Sequence, residues 1–430
     1  MPTMHRTKLI SCCLALAIGS TLVAQEKPPS PPPRNIEAVV NHALANNAEL
    51  RVFQAEVAAA KGQRTQAGFF KNPEVSAEIG AREVRDSQNV LQGNGTTLSI
   101  AVTQTFEFPG KGTLRKAIAN KNIEIAELGL EQFRLALAGQ VRLLAYEHIA
   151  ANSEAEAAEA VYRQSSELAS QLTSQTGFGA RLQIEIRLIQ ASLVELGAAI
   201  KESSLRREET RTKLNVLLGL PQSIPLRLRD PLAPPQKRLN ANRLVFAAQQ
   251  NNPLLKIRQH ELERSARELS AARLDIAPDF AIGPFFSRDV AGDTEQNIGA
   301  AISATVPLWD WNIGNIQSAK ARREAAEALR LKAERDTEAE ILSRLRAYEL
   351  TQRQLDMIPS GLLQNVLEAS TLAETQFRNG SIGAQLYLDA QSASLNALRS
   401  SQKAVLDAWR TLLDLNLLTG GTLEDKETKP

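Results

Sequence analysis

Residues 96–111, TTLSIAVTQTFEFPGK, decide the fold. Leu98, Ile100, Val102 and Phe106 recur with period two, and Thr97, Ser99, Ala101, Thr103 and Thr105 fill the places between. Successive strand side chains point to opposite faces, so this is a strand with one apolar and one small-polar side. Pro109-Gly110 ends it. From about Thr113 to Thr176 the pattern is helical without a break, on the order of 100 Å at about 1.5 Å per residue. Ile123, Leu130, Leu137 and Leu144 fall seven apart, the spacing of a coiled-coil seam.

Upstream, residues 36–70 are helical in pattern and stop before Asn72-Pro73, because the residue preceding proline is pushed out of the α region. Glu74 to Val84 alternates again, with Val75, Ala77 and Ile79 opposite Glu74, Ser76 and Glu78. Gly93-Asn94-Gly95 reads as the turn between the strands. The unit is helix, two strands, a very long helix, then another helix.

That unit occurs twice. Asn46-Asn47 matches Asn251-Asn252, Pro73 matches Pro278, and Phe108-Pro109 matches Val306-Pro307. Arg142 to Glu147 matches Arg344 to Glu349, Gly179 to Leu182 matches Gly383 to Leu386, and Leu214-Asn215 matches Leu415-Asn416. Six landmarks in one order, at offsets of 198 to 205 residues, mark a tandem duplication. The copies span residues 36–220 and 240–420, joined by a Pro-rich linker over 221–239. In the second copy Phe280, Ile282 and Phe286 form an apolar side that Phe285 interrupts. Ile298, Ile302 and Val306 oppose Asn297, Gly299, Ser303 and Thr305. Its long helix runs from about Ile313 to Phe377, kinked at Pro359-Ser360-Gly361.

The composition agrees with long helices meeting on narrow seams: aromatics are 4% of 430 residues, and Met only 3. Residues 1–24 read as a secretory signal, with His5, Arg6 and Lys8 ahead of an apolar run from Leu9 to Ile18. Cleavage is expected after Gly19 or Ala24, followed by a Pro-rich leader over 25–35; residues 421–430 are a polar tail. The net charge of +2 belongs to Arg6 and Lys8, so the mature chain is neutral and offers nucleic acid no bulk attraction. Both cysteines, Cys12 and Cys13, lie in the signal, which removes disulfides and thiolate sites from the mature protein. His42, His148 and His260 are scattered and read as solvated or packed, and no sequence motif for a metal, cofactor or nucleophile–base pair is present. Gly110-Lys111-Gly112-Thr113 is no phosphate loop, because Thr105 stands where that pattern needs glycine. Glu154, Glu156 and Glu159 read as a solvated helix face, and Trp309 and Trp311 as interfacial anchors or junction packing.

Strands of about 9–11 residues, apolar on one side and small-polar on the other, suit a transmembrane β-barrel or a soluble sheet under helices. Export, and helices too long to wrap so small a sheet, favour the barrel. Four strands cannot close one, but three chains give twelve. The expected fold is mainly α with a small β part: a long coiled-coil α-barrel plus four strands per chain of a trimeric 12-stranded barrel.

The duplication, Phe-Glu-Phe-Pro-Gly-Lys at 106–111 leading into Arg115-Lys116-Ala117, and Val-Pro-Leu-Trp-Asp-Trp-Asn-Ile-Gly-Asn at 306–315 together resemble the TolC-type outer-membrane efflux proteins. So does the run from Phe377 through Gly380, Leu386 and Asp389 to Gln391. The Pro-Gly-Lys and Pro-Leu-Trp-Asp-Trp-Asn segments look nearest to the cobalt–zinc–cadmium efflux branch. The resemblance implies a homotrimer in outer-membrane lipid, a passive duct without catalysis or cofactor. Its partners would be a periplasmic adaptor and an inner-membrane pump of the resistance-nodulation-division type. By position, the adaptor-docking tips are Gly177, Phe178, Gly179 and Arg181, with Gly380, Ser381 and Gly383. Turn formation alone would explain the glycines equally well. Asp389, repeated threefold in a trimer, is either a tunnel constriction favouring cations or a solvated helix residue. The alternative of another class is a soluble periplasmic helical adaptor or scaffold.

Overall fold

The computed structural model describes residues 35–174, 179–358 and 361–423. The signal segment, nearly all of the leader and residues 424–430 lie outside them. Met1–Pro32 and Pro33–Pro430 separate as two units, and every element below belongs to the second. The first copy supplies α1 (Ile36–Asn46), α2 (Ala48–Gln66), β1 (Glu74–Arg85), β2 (Leu91–Phe106), α3 (Lys111–Ser174) and α4 (Ala180–Leu218). The second supplies α5 (Ala241–Asn251), α6 (Pro253–Leu274), β3 (Phe280–Ala291), β4 (Asp293–Ala304), α7 (Ile313–Asp356), α8 (Leu362–Arg378) and α9 (Ala384–Leu418). The order of elements repeats, and the kink expected near Gly361 is the break between α7 and α8, where Gly361 has φ +88°.

The single helix expected over 36–70 is two. Asn47 leaves the helical region, and its Oδ1 accepts from Leu50 N at 3.1 Å to cap α2. Its Nδ2 donates to Leu217 O at 3.1 Å, near the end of α4. Asn252 repeats both contacts: Oδ1 accepts from Leu254 N at 2.8 Å, and Nδ2 donates to Leu418 O at 2.9 Å in α9. Each buried asparagine thus satisfies a bare N–H at one helix start and a bare C=O at another helix end. That is a physical reason for the duplicated Asn.

The strands form one antiparallel sheet in the order β1-β2-β3-β4. Gly93-Asn94-Gly95 is not the turn; it lies inside β2. The turn is at residues 86–90, where Asp86 Oδ1 accepts from Gln88 N and Val90 N, each at 2.9 Å, and Asn89 takes φ +62°. Gly93 and Gly95 are needed for close approach instead. A Cβ on Gly93 would stand 2.0 Å from Ala291 O, and one on Gly95 1.6 Å from Val290 O. Phe285 lies on the polar side of β3, its ring against Gly299 of β4, where a Cβ would come within 2.8 Å of it.

The helices pack mainly along α3, which meets α1, α2 and α4 of its own copy and α6 and α9 of the other. On its seam Leu137 and Leu144 are buried, while Ile123 and Leu130 are half-buried. Beyond them Ala151, Ala155 and Ala158 are buried, small enough to let helices close in without aromatic filler. One apolar cluster joins α1, α3 and α4 around Val39, Val141 and Leu214, and its counterpart joins α5, α7 and α9 around Leu244, Ile341 and Leu415.

Glu154 is not solvated, although Glu156 and Glu159 are exposed. Its buried carboxylate binds Arg206 of α4 at 3.1 Å through Oε2 and Arg399 of α9 through Oε1. Those arginines come from different copies, so one acid ties the two copies together. The linker does the same through three backbone carbonyls and one side chain. Leu226 O faces His148 Nε2 at 3.3 Å, and Asp230 Oδ2 accepts from Ile36 N at 2.8 Å, both in the first copy. Ala233 O accepts from Trp409 Nε1 at 2.8 Å, and Pro235 O from Gln352 Nε2 at 2.8 Å, in the second. Burial pushes the His148 imidazole pKa below its ordinary value, which keeps the ring neutral at pH 7.

Candidate functional site

Two places bear on function: the sheet, and the hairpin ends where α4 and α9 begin. Register puts Val75, Ala77 and Ile79 of β1 beside Val102, Ile100 and Leu98 of β2. Ile100 in turn stands beside Phe286, and Phe286 beside Ile298. Gln104, beside Ile282, is the polar interruption of this face between Val102 and Phe106, and among the described residues no helix forms a packed layer on it. Val75 is 70% exposed, Ile79 81%, Ile298 84% and Ile302 75%. At the helix-side end of the strands, exposed Phe69, Phe70, Phe106, Phe280, Trp309 and Trp311 gather. Trp309 is 91% exposed, so packing at the junction does not account for it.

The opposite face carries Glu74, Glu78, Thr97, Ser99, Ser287, Asp289, Asn297 and Glu295. Arg82 binds Asp289 at 3.0 Å and Glu295 at 3.5 Å across it. Where the sheet meets α3, Lys111 Nζ binds Asp279 Oδ1 at 2.9 Å and Ala277 O at 2.8 Å. Burial opposes ionisation of Asp279, but hydrogen bonds from Lys111 Nζ and Phe108 N hold its pKa below the usual carboxylate value. The Gly-Lys dipeptide is thereby a strand-to-helix junction, with Gly110 at φ +102°.

At the hairpin ends, Gly177 and Phe178 lie outside the described residues. The expectation that the tip glycines serve positive φ holds for one of the described three. Gly380 has φ +70° and follows α8, with Ser381 N donating to Gln376 O at 2.9 Å. Gly179 and Gly383 are extended N-caps at φ −71° and −85°, which any residue adopts. A Cβ would meet nothing within 4 Å at Gly179, and only Glu185 Oε1 at 3.8 Å at Gly383. Turn geometry therefore explains Gly380 and neither of the others. Arg181 is exposed and pairs with Glu185 at 3.1 Å; Ser381 is exposed.

Asp389 is exposed one to two turns into α9, its Oδ1 accepting from Gln385 Nε2 at 2.9 Å. It faces an open groove of about 430 Å³ between α4 and α9, lined also by Glu195, Ser192 and Arg399. Tyr387, which sequence reasoning passed over, is fully buried behind it, stacked on Phe377 with ring centroids 5.5 Å apart and its hydroxyl 3.1 Å from Ser165 Oγ of α3. Its aromatic place after a helix-start glycine was the available signal. His260 Nδ1 lies 3.0 Å from Glu124, and Lys121 Nζ pairs with both Glu124 at 2.5 Å and Glu263 at 2.9 Å. Among the described residues no group of three or more His, Cys, Asp or Glu is placed to hold a metal. Among them, too, no helix is long and apolar enough to cross a membrane.

Long helices in two copies, each contributing two strands to one four-stranded sheet, give the chain the fold of solved outer-membrane channels. The CmeC outer membrane channel of Campylobacter jejuni superposes at a TM-score of 0.74 and 16% identity, covering 98% of this chain and 95% of that one. The open state of the Neisseria gonorrhoeae MtrE channel gives 0.73 at 18% identity, with 92% and 91% covered. The outer membrane protein VceC of Vibrio cholerae gives 0.67 at 18%, with 90% and 96% covered. No protein-family model and no curated protein matches the sequence.

Proposed function

We propose that this chain is the outer-membrane channel of a tripartite efflux system. It is a passive duct, working as a homotrimer whose twelve strands close a barrel through the lipid. The observation that carries the reading is the bare apolar face. From the row of Phe106 to that of Leu98 is eight residue steps, about 27 Å along a strand at about 3.4 Å per residue. A strand tilt of about 40° leaves about 20 Å counted from Phe106 in the aromatic fringe, against an apolar band of about 25 Å in membrane barrels. A soluble periplasmic scaffold is the weaker reading, because it would leave Ile79, Ile298 and Ile302 in water. Fractionation of the exported chain tests this: the expected result is a detergent-requiring trimer in the outer membrane, and a soluble periplasmic monomer would overturn it.

A periplasmic adaptor, itself bound to the inner-membrane pump, is expected to dock at the hairpin ends. Gly179 and Gly383 support that role because the fold itself does not require glycine there. The nearest branch by motif exports heavy-metal cations, which makes cations the proposed cargo. In a trimer Asp389 would form an acidic ring narrowing the tunnel and favouring cations. Asp389→Ala is expected to raise single-channel conductance and weaken block by divalent cations in planar bilayers; unchanged values would remove Asp389 from the constriction.

A further inference from the structure

The two faces of the sheet differ in charge as well as in polarity. By register, Glu74, Glu78, Asp289, Asp293 and Glu295 share the polar face with Arg82. The apolar face has almost no charge until its turn-side end. There Arg288 stands in one row with Ile79, Leu98 and Gln296. Beyond it, at the turn, Glu83 and Arg85 pair with each other at 3.1 Å. Arg288 is exposed and has no ion-pair partner among the described residues. The carboxylate next to it in sequence, Asp289, points through to the other face and is held by Arg82 at 3.0 Å.

An unpaired guanidinium at the rim of a lipid-facing band is costly unless it reaches the interface and finds an anion. The position supplies both. From Phe280 to Arg288 is eight residue steps, so the cation sits one band height from the aromatic fringe, where a headgroup layer begins. Guanidinium donors in a planar fork match the paired oxygens of a phosphate.

Resting on the membrane reading above, we propose that Arg288 is a lipid-binding residue. It holds the phosphate of an anionic lipid in the leaflet at the turn end of the barrel, once per chain. A lipid phosphate is favoured over a free one because Ile79 and Leu98 beside the cation, and Phe286 and Ile298 in the row below it, offer the acyl chain an apolar surface.

The test uses the full exported chain in bilayers of phosphatidylcholine alone or mixed with phosphatidylglycerol, read by lipid retained on the trimer in native mass spectrometry. The parent trimer is expected to retain phosphatidylglycerol roughly five-fold over Arg288→Gln, the size of one cation near an anionic surface. Arg288→Lys should fall between them. Inorganic phosphate should leave the thermal stability of the detergent-held trimer unchanged. Equal retention by parent and Arg288→Gln, both inserted as trimers, would overturn the assignment and leave the channel reading standing. A response to free phosphate equal to that to the lipid would also overturn it. Failure of the parent chain to insert at all would sink the membrane reading and this assignment with it.

Discussion

Val102→Arg is expected to abolish the membrane-inserted trimer, while Thr103→Arg leaves it in place. The two positions are adjacent in β2, yet Val102 stands on the apolar face beside Val75, and Thr103 on the other beside Glu74. Val102 lies four residues from Phe106 and four from Leu98, at the middle of the band. A cation at the midplane of a barrel's lipid face costs about 2–4 kcal/mol, and threefold symmetry would incur it three times. Thr103→Arg adds a guanidinium next to Glu74 on the polar face, where solvent and an acid receive it. Heat-resistant trimer on gels of membrane fractions reads the difference. Equal insertion of both variants would mean that the apolar face does not meet lipid.

The second large effect is expected at Glu154. Glu154→Ala removes the carboxylate that Arg206 and Arg399 share and leaves two guanidiniums facing each other between α4 and α9. A fully buried pair broken this way costs about 3–5 kcal/mol. Both arginines keep contact with water, so we expect roughly 1–3 kcal/mol here. The urea midpoint of the detergent-held protein should fall accordingly. Adding Arg399→Ala should recover part of the loss, because it removes the unpaired charge; additive losses would show that the acid and the arginine do not act as a unit.

What was legible in the sequence was whatever repeats over short distances. The alternation of residues 96–106, the seven-residue spacing of Leu137 and Leu144, and the Pro-Gly stops each encode a local period, and the elements follow them. The misreadings share a cause. Glycine signals both a turn and a close backbone approach, and only β3, nearly two hundred residues on, decides for Gly93 and Gly95. Glu154 looks like any exposed helix acid until Arg206 and Arg399, 52 and 245 residues away, converge on it. Asn47 advertised a repeat but not its work, because Leu217 lies 170 residues further on. At the hairpin ends the glycines were legible as a motif, and the fold has narrowed a conformational account to Gly380.

The sheet has two outer strands, β1 and β4, each with one unpaired row of backbone N–H and C=O groups. A lone chain therefore carries two open edges together with a bare apolar face. Such edges pair with whatever strand arrives first, including the wrong one. If the chain works as the proposed trimer, the folded monomer is a hazardous intermediate rather than a resting state, and its lifetime is set by how quickly two further copies are met. On that reading, synthesis rate and escort by other proteins would govern the yield of assembled protein as strongly as the stability of its helices does.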